Sequence, residues 1–257
     1  EVTERARAEG RTIPPLVESL LDSGRKGFYE SADGKATVFG PTGVQPVSER
    51  SGVLEIAAIK EAGGLKKKNA GASLVDLGDG CGLVEFHSKM NSLGADAIGL
   101  IASTVKEARR NFDALVIGNQ GEHFSAGANL MLVLLAAQEE EWEELDLMIR
   151  QFQGANMALK YADVPVVAAP FGLTLGGGCE ICLHAHRVRA SAETYMGLVE
   201  VGVGVVPAAG GTKEMALRAH DRCADVKDAD PFPVLRRAFE SIGMAKVATS
   251  GAEALRM

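Results

Sequence analysis

Two glycine-rich segments constrain the fold most, because each follows a strand pattern and leads into a helix pattern. They comprise residues 118–130 and 172–180. From Ala72 onward, short apolar runs alternate with segments of helical periodicity. Strands that alternate with helices form βαβ units, so the sequence predicts an α/β fold for residues 72–257.

Local patterns predict the individual elements of this region. The predicted strands are 74–77, 83–86, 114–117 and 165–169, of which the first two form a hairpin. Apolar spacing from Ile98 to Ala108 predicts one helix, and a second, long helix is predicted over 129–161.

The first 50 residues carry a different pattern. A short helix begins at Pro14-Pro15 and ends at Gly24. A hairpin follows, with Asp33-Gly34 as its two-residue turn. One helix and one hairpin bury too little apolar surface to fold alone, so this part is interpreted as the remnant of another domain.

A linker is predicted at 63–71, where glycine and alanine flank three consecutive lysines, Lys66 to Lys68. Small residues with a charge run are typical of a flexible domain boundary. We therefore predict a first domain over 1–62 and a second over 72–257. A phosphate site on the lysines is the less favoured alternative.

Composition and cysteine content narrow the class of protein. The formal net charge is −7, and no basic face is apparent, which argues against a nucleic-acid partner. No apolar stretch approaches the ~18 residues of a membrane span. Four cysteines without a recognisable secretory signal predict a reduced, cytoplasmic location. Cys179 and Cys182 form a C-x-x-C pair, for which apolar neighbours favour two buried thiols over a redox or zinc site.

The glycine-rich segments are also candidates for chemistry. Backbone N–H groups at strand-to-helix turns are unpaired and point outward. Two such turns side by side would direct two donors at one oxygen and form an oxyanion hole. Ordinary glycine turns are the alternative for either segment alone, whereas no phosphate-loop motif is present.

Two glutamates are candidates for acid–base catalysis. Glu180 follows three glycines amid apolar residues, and Glu200 is the only charged residue in the range 194–212. A carboxylate in such surroundings is a helix cap, a paired charge or a functional acid. Two carboxylates with shifted pKa values are suited to general acid–base work.

Other polar residues point to chemistry less strongly. His184 and His186 lack a third ligand at metal spacing, so no metal site is predicted. Ser125 lies outside a G-x-S-x-G motif, so a serine nucleophile is not predicted either.

Three motifs together resemble the enoyl-CoA hydratase (crotonase) superfamily. They are Phe124-Ser-Ala-Gly-Ala-Asn-Leu130, Gly176-Gly-Gly-Cys-Glu180, and Gly197-Leu-Val-Glu200 followed by Pro207-Ala-Ala-Gly-Gly-Thr212. The resemblance covers residues 72–219 and implies a crotonase-like spiral of ββα units. A weaker motif, Gly24-Arg-Lys-Gly-Phe-Tyr29, resembles the C-terminal domain of 3-hydroxyacyl-CoA dehydrogenases. It implies that the helix and hairpin are a remnant of that all-helical domain in a bifunctional fatty-acid β-oxidation enzyme.

The resemblance implies roles for individual residues. The N–H groups of Ala128 and Gly177 would form the oxyanion hole, Glu180 would orient a water, and Glu200 would protonate the α-carbon. A further set matches regions that contact CoA or substrate: Lys89, Met90, Ala126, Asn129, Leu130, Met131 and Gly176. For Lys89, an ordinary surface lysine is the equal alternative.

The expected ligand is an acyl-CoA thioester, and the expected reaction is hydration of a 2-enoyl-CoA. No cofactor is expected in this chain, because NAD would belong to an upstream dehydrogenase domain. The resemblance also implies a thiolase as a pathway partner and allows a homo-oligomer. After Thr212, Lys213-Glu214-Met215 replaces the usual Gln-Arg-Leu, and the crotonase-like domain is expected to be C-terminally incomplete. An enoyl-CoA isomerase and a non-catalytic acyl-CoA-binding or docking module are the alternatives.

Overall fold

The computed structural model describes residues 2–32, 35–47 and 51–257. Its chain forms two compact units, unit 1 (Glu1–Gly64) and unit 2 (Leu65–Met257). None of the described helices is both long and apolar enough to cross a membrane.

Unit 1 combines short helices with an antiparallel sheet. Its described elements are α1 (Val2–Ala8), α2 (Pro15–Asp22), β1 (Tyr29–Ala32), β2 (Lys35–Gly40), β3 (Gly43–Pro46) and α3 (Ile56–Ile59), with a π turn at Lys60–Gly64. The predicted helix and hairpin are therefore present, although the predicted turn at Asp33-Gly34 lies outside the described residues. Few of its described apolar side chains are buried: Ile13, Leu20, Phe39 and Ile56.

Unit 2 is a mixed α/β structure. Its strands are β4 (Leu65–Lys68), β5 (Ala72–Gly78), β6 (Cys81–Phe86), β7 (Ala114–Gly118), β8 (Val166–Ala168), β9 (Gly172–Leu175), β10 (Arg187–Val188) and β11 (Thr194–Gly197). Its helices are α4 (Ala95–Asn111), α5 (Leu130–Gln138), α6 (Trp142–Lys160), α7 (Gly177–His184), α8 (Gly211–Ala224), α9 (Phe232–Gly243) and α10 (Gly251–Ala254), with 3-10 turns at Lys89–Asn91 and Glu200–Val203.

The main sheet has the strand order β10-β8-β7-β6-β5-β4. Strands β4, β5 and β6 are antiparallel, whereas β6, β7, β8 and β10 are parallel. Parallel neighbours need crossover connections, which α4 supplies between β6 and β7, and α6 supplies between β7 and β8. A separate parallel pair, β9 and β11, follows. The predicted α/β fold and the predicted β5–β6 hairpin are confirmed.

The core lies between this sheet and helices α4 and α6. Ile101 of α4 and Leu159 of α6 are fully buried, as are Leu115, Ile117 and Val166 of the sheet. Each such side chain contributes about 1.5–3 kcal/mol when it leaves water. Strands β7 and β8, which precede the glycine-rich loops, are therefore anchored in the buried core of unit 2.

The single helix predicted over 129–161 is wrong, because the structure has two helices there. Helix α5 ends at Gln138, and α6 begins at Trp142. Between them Glu140 has a left-handed φ of 57°. That conformation cannot continue a right-handed helix. A continuous helix would also place like charges four residues apart, at Glu139 and Glu143 and at Glu140 and Glu144, which is unfavourable.

The flexible linker predicted at 63–71 is also different in the structure. Leu65–Lys68 forms β4, which pairs antiparallel with β5 at the edge of the main sheet. Lys67 Nζ lies 2.6 Å from Glu107 Oε2 of α4, so the charge run faces a partner rather than solvent alone. Lysines on an edge strand also discourage pairing with other chains.

Candidate active site

The two glycine-rich loops lie side by side, as the sequence predicts. Ser125 of the first forms a parallel bridge with Thr174 of the second, and Leu175 N–H donates to Ser125 O at 3.0 Å. Gly127 has a φ of 97°, and a Cβ there would lie 2.9 Å from Leu175 O. Only glycine meets both the backbone and the space requirement at this crossing.

Ser125 has a structural role at this crossing. Its hydroxyl is fully buried, donates to Asn91 O at 2.8 Å and accepts from Gly127 N–H at 3.1 Å. The hydroxyl therefore holds the first loop both as a donor and as an acceptor.

Two backbone donors remain free where the loops meet. Leu93 N–H donates to Gly127 O, and Asn129 N–H donates to Leu93 O. The N–H of Ala128, between these two groups, therefore points to the opposite side of the chain. Gly177 is the first residue of α7, where N–H groups have no partner within the helix. Neither N–H donates a hydrogen bond within the described parts of the chain.

Both donors line one cavity of about 250 Å³. The cavity also contains most of the residues predicted from sequence, namely Ala126, Asn129, Leu130, Gly176, Glu180 and Glu200. Its remaining wall is mainly apolar and comes largely from α5, α6 and the segment after Glu200: Leu132, Val133, Leu145, Met148, Ile149, Phe152, Val203, Val205 and Val206. Sequence reasoning missed these residues, because an apolar helix face is typical of any core.

Three predicted contact residues lie outside this cavity. Lys89 and Met90 are exposed in the 3-10 turn after β6, where Met90 O accepts from Ala126 N–H at 3.1 Å. Met131 is 62% exposed on the first turn of α5. The structure therefore brings the predicted carboxylates and donors together but not these three side chains.

Glu180 is a buried carboxyl group in the first turn of α7. Burial raises its pKa to about 7, and the nearby Glu200 acts in the same direction, while backbone N–H groups of Gly211 and Ala209 oppose the shift. Gly211 N–H donates to its Oε1 at 2.8 Å. A pKa near 7 makes both the acid and the base form available at neutral pH.

Glu200 begins the 3-10 turn after β11 and points at the second glycine-rich loop. Its Oε1 would lie 3.2 Å from a Cβ on Gly176, which has a φ of 51°. Burial raises its pKa. Neither carboxylate oxygen has a hydrogen-bond partner among the residues that the structure describes. A desolvated carboxylate without a partner is typical of a functional acid rather than a cap.

The remaining candidates for chemistry have structural surroundings. Cys179 and Cys182 are buried in α7, and burial raises the pKa of both thiols, which favours the buried-thiol interpretation. His184 Nδ1 lies 2.7 Å from Glu180 O, and His186 Nδ1 accepts from Val166 N–H at 2.9 Å. No group of three or more potential metal ligands occurs in residues 2–32, 35–47 and 51–257.

A larger cavity of about 470 Å³ contains none of the predicted site residues. It lies among α7, α8, α9 and α10, and its charged lining consists of Arg189, Arg218, Arg222 and Arg237. The two carboxylates and the free donors make the smaller cavity the candidate active site.

A mixed α/β fold with two crossing glycine-rich loops, free N–H donors and paired buried carboxylates defines a protein of crotonase-like fold. The sequence model described as Enoyl-CoA hydratase/isomerase matches residues 83–223, more than half of the chain. The chain therefore belongs to the enoyl-CoA hydratase/isomerase family.

The chain is also similar to parts of two longer proteins. A Bacillus subtilis (strain 168) protein named "Probable 3-hydroxyacyl-CoA dehydrogenase" is 44% identical over 254 residues, which is 99% of this chain and 32% of that protein. A Rickettsia felis protein, provisionally named a fatty acid oxidation complex trifunctional enzyme, is 36% identical over 51% of this chain and 18% of its own length. The chain thus spans a third or less of either relative.

A solved structure from Thermobifida fusca YX shares the fold. It is provisionally named an enoyl-CoA hydratase and was crystallised in complex with acetoacetyl-CoA. Its TM-score to this chain is 0.57 at 22% identity, with 73% of this chain and 71% of that chain covered.

Proposed function

We propose that unit 2 catalyses the reversible hydration of a 2-enoyl-CoA to a 3-hydroxyacyl-CoA, a lyase reaction of fatty-acid β-oxidation. The observation that carries this proposal is that two desolvated carboxylates and two free N–H donors line the same cavity. Hydration of an enoyl thioester needs both kinds of group, since charge develops on the thioester oxygen while protons move at two carbons.

The N–H groups of Ala128 and Gly177 would donate hydrogen bonds to the thioester oxygen. As water adds to the β-carbon, this oxygen becomes enolate-like, and fixed donors stabilise the developing charge. Removing one such donor in other enzymes costs roughly 3–4 kcal/mol. Both donors are backbone groups on rigid turns, so little reorganisation accompanies the reaction.

Glu180 and Glu200 would share the proton transfers. Glu180 orients the water and takes up the proton that the water loses as its oxygen bonds to the β-carbon, and Glu200 delivers a proton to the α-carbon. The net result is addition of OH and H across the double bond, with no change in the total charge of the two carboxyl groups. The pKa of about 7 supports this role for Glu180, because its protonated and ionised forms both occur near neutral pH. Burial also raises the pKa of Glu200, which favours the protonated form that donates to the α-carbon.

The apolar walls of the cavity suit the acyl chain of such a substrate. Leu132, Val133, Met148 and Ile149 come from α5 and α6 and face the same space as the carboxylates. The fold relative crystallised with acetoacetyl-CoA supports an acyl-CoA ligand. Lys89, Met90 and Met131 lie outside the cavity, and we propose that they contact the CoA portion that extends from it.

The relatives support a fusion with a dehydrogenase, since one is named a 3-hydroxyacyl-CoA dehydrogenase and another a trifunctional fatty acid oxidation enzyme. We propose that unit 1 belongs to a dehydrogenase C-terminal domain and that NAD binds elsewhere in the parent protein. A thiolase partner, a homo-oligomer and a cytoplasmic location complete this proposal.

The proposed reaction is tested by following hydration of a short 2-enoyl-CoA through loss of the conjugated thioester absorbance. We expect Glu180→Gln and Glu200→Gln each to lower kcat by about 10²–10⁴-fold, the usual contribution of a positioned acid or base. Glu122→Gln, at an exposed position, is the matched control. Full activity in both cavity variants would refute the mechanism.

Two other outcomes identify the alternatives. Conversion of a 3-enoyl-CoA to the 2-enoyl isomer without hydration would indicate an isomerase. Binding of acyl-CoA without turnover of either substrate would indicate a docking module.

A further inference from the structure

A cluster of ionisable side chains around one buried carboxylate lies outside the cavity, beside the helix that carries Glu180. At its centre is Glu214, in the first turn of α8, which is only 3% exposed. Lys160 Nζ donates to Glu214 Oε1 at 2.6 Å, and Lys213 Nζ lies 2.8 Å from the same oxygen. His184 Nε2 lies 3.5 Å from it. The cluster therefore joins α6, α7 and α8 at one carboxylate.

The carboxylate of Glu214 is charged in this setting. Desolvation would raise its pKa, but the hydrogen bonds from Lys160 and Lys213 and the positive charge of Lys213 outweigh that effect and lower the pKa. Charge-assisted hydrogen bonds of this kind are roughly twice as strong as neutral ones. The three helices are thus held by a buried and paired charge.

His184 connects this cluster to the backbone of Glu180. Its Nδ1 lies 2.7 Å from Glu180 O, and because a carbonyl oxygen only accepts, Nδ1 carries the hydrogen. Its Nε2 then accepts from Lys213 Nζ at 3.2 Å. Burial lowers the pKa of His184, in agreement with a neutral ring that uses both nitrogens in this way.

The cluster also fixes the start of α8, which contacts the Glu180 carboxyl group. Glu214 N–H donates to Gly210 O at 2.9 Å, and a Cβ on Gly210 would lie 2.7 Å from His184 Cε1. The next residue, Gly211, donates its N–H to Glu180 Oε1 at 2.8 Å. A shift of the first turn of α8 would therefore change the hydrogen bond on the carboxyl group.

We propose that Glu214 is a positioning residue for Glu180: it holds the first turn of α8 against α6 and α7 and so keeps Gly211 N–H on Glu180 Oε1. None of Glu214, Lys160, Lys213 and His184 lines the cavity, so the cluster acts through Glu180 and not on the substrate. This proposal rests on the proposed function for the importance of Glu180 in catalysis, although the geometry that it describes does not.

The test measures the pKa of Glu180 directly, from the ¹³Cδ shifts of the 257-residue chain labelled in its glutamates. The Glu180 signal is identified by its loss in Glu180→Gln. In Glu214→Gln, a loosened Gly211 hydrogen bond raises the pKa of Glu180 by about half a unit or more. The other groups that act on this carboxyl, Glu200, Gly211 N–H and Ala209 N–H, are chemically unchanged in the variant.

The direction of the change separates the explanations. A through-space effect of the lost negative charge would lower the pKa of Glu180, and a merely structural role would leave it unchanged; either result overturns the proposal. Asp221→Asn removes a carboxylate from an exposed position on the same helix and should leave the pKa of Glu180 unchanged.

A second variant keeps the test valid if Glu214→Gln fails to fold. His184→Gln replaces a neutral side chain with another neutral side chain, so it breaks the link without changing the charge. The pKa of Glu180 should again rise, and an unchanged pKa would overturn the proposal. In hydration assays, both variants should lower kcat and leave KM within about twofold. The NMR measurement needs no turnover. If the wild type does not hydrate enoyl-CoA but the variants still raise the pKa of Glu180, the proposed function is refuted and the positioning role stands.

Discussion

Glu180 is held in a place where its ionised form is disfavoured, and this has a consequence for stability. Its pKa in the folded chain is about 7, against an ordinary value of 4.5. Between these pH values the folded state binds more protons than the unfolded state. The stabilisation from this group is complete below about pH 4.5 and is lost as the pH rises through 7. The ionised form needed at neutral pH therefore destabilises the fold.

We predict that Glu180→Gln increases the free energy of unfolding at pH 8. One pKa unit corresponds to ~1.4 kcal/mol, so a gain of about 2–3 kcal/mol is expected from a glutamine that still accepts from Gly211 N–H. At pH 4.5 the difference from the wild type should disappear, because both side chains are then neutral. Urea unfolding followed by circular dichroism at the two pH values measures this.

The control for this prediction is Glu122→Gln, which neutralises an exposed carboxylate. Its stability should follow that of the wild type at both pH values. Equal stability of Glu180→Gln and the wild type at pH 8 would contradict the raised pKa.

The sequence predicts the residues at the centre of the site better than those around it. Glu180 and Glu200 stand out as charges in apolar surroundings, and in the structure both line the same cavity. Glu214 gives no such signal, because a Lys-Glu pair in a helix is typical of a solvated surface. Its partner Lys160 lies 54 residues away, and the two meet only because α6 and α8 both pack against α7.

Among the elements, the contact between α6 and α7 determines where the Gly177 donor lies. A Cβ on Gly177 would be 2.8 Å from Cε1 of Phe152, which is buried between the helices. The start of α7 therefore approaches α6 more closely than any other residue type would allow. Glycine is therefore required at position 177 by the lack of space for a side chain, and the residue also supplies the N–H donor of the site.

We predict that Gly177→Ala destabilises the chain by about 1–3 kcal/mol, the usual cost of overpacking a core. The shift of α7 also displaces the N–H donor, so kcat for enoyl-CoA hydration should fall at least about tenfold. Gly154→Ala is the matched control in α6, since no atom lies within 4 Å of its Cβ position. That variant should be more stable than the wild type by about 0.5–1 kcal/mol.

Urea unfolding and steady-state kinetics of both variants measure this contrast. Equal behaviour of the two alanine variants would show that the Phe152 contact does not constrain α7.

Hydrophobic periodicity predicts whether a segment is a helix or a strand better than it predicts where that helix or strand ends. The apolar pattern continues across 129–161, but the break at Glu139–Glu141 depends on backbone conformation and repulsion that periodicity does not report. Similarly, Gly172–Leu175 lies in a predicted loop and forms β9 because β11 offers it a parallel partner. Long-range pairing of this kind is absent from local sequence.

The boundary between the two units falls inside the predicted linker, 63–71, but near the start of that linker rather than at its end. The sequence predicts the start of the second domain at Ala72, whereas unit 2 begins at Leu65. The difference is β4, which supplies the partner of β5, and Asn69, whose Oδ1 accepts from Ala72 N–H at 2.8 Å. Residues that resemble a linker in composition thus complete the sheet that anchors the site.

We predict that the segment Leu65–Met257 folds without unit 1, because the sheet, the cavity and the buried charged cluster all lie within it. The matched segment 72–257 loses the hydrogen bonds between β4 and β5, the cap from Asn69, and the ion pair between Lys67 and Glu107. At roughly 1 kcal/mol for each hydrogen bond, it should be less stable by at least about 2 kcal/mol. Amide NMR spectra test whether each segment folds, and urea unfolding compares them. Equal stability of the two segments would show that β4 does not stabilise unit 2 and would support the boundary at Ala72 that the sequence predicts.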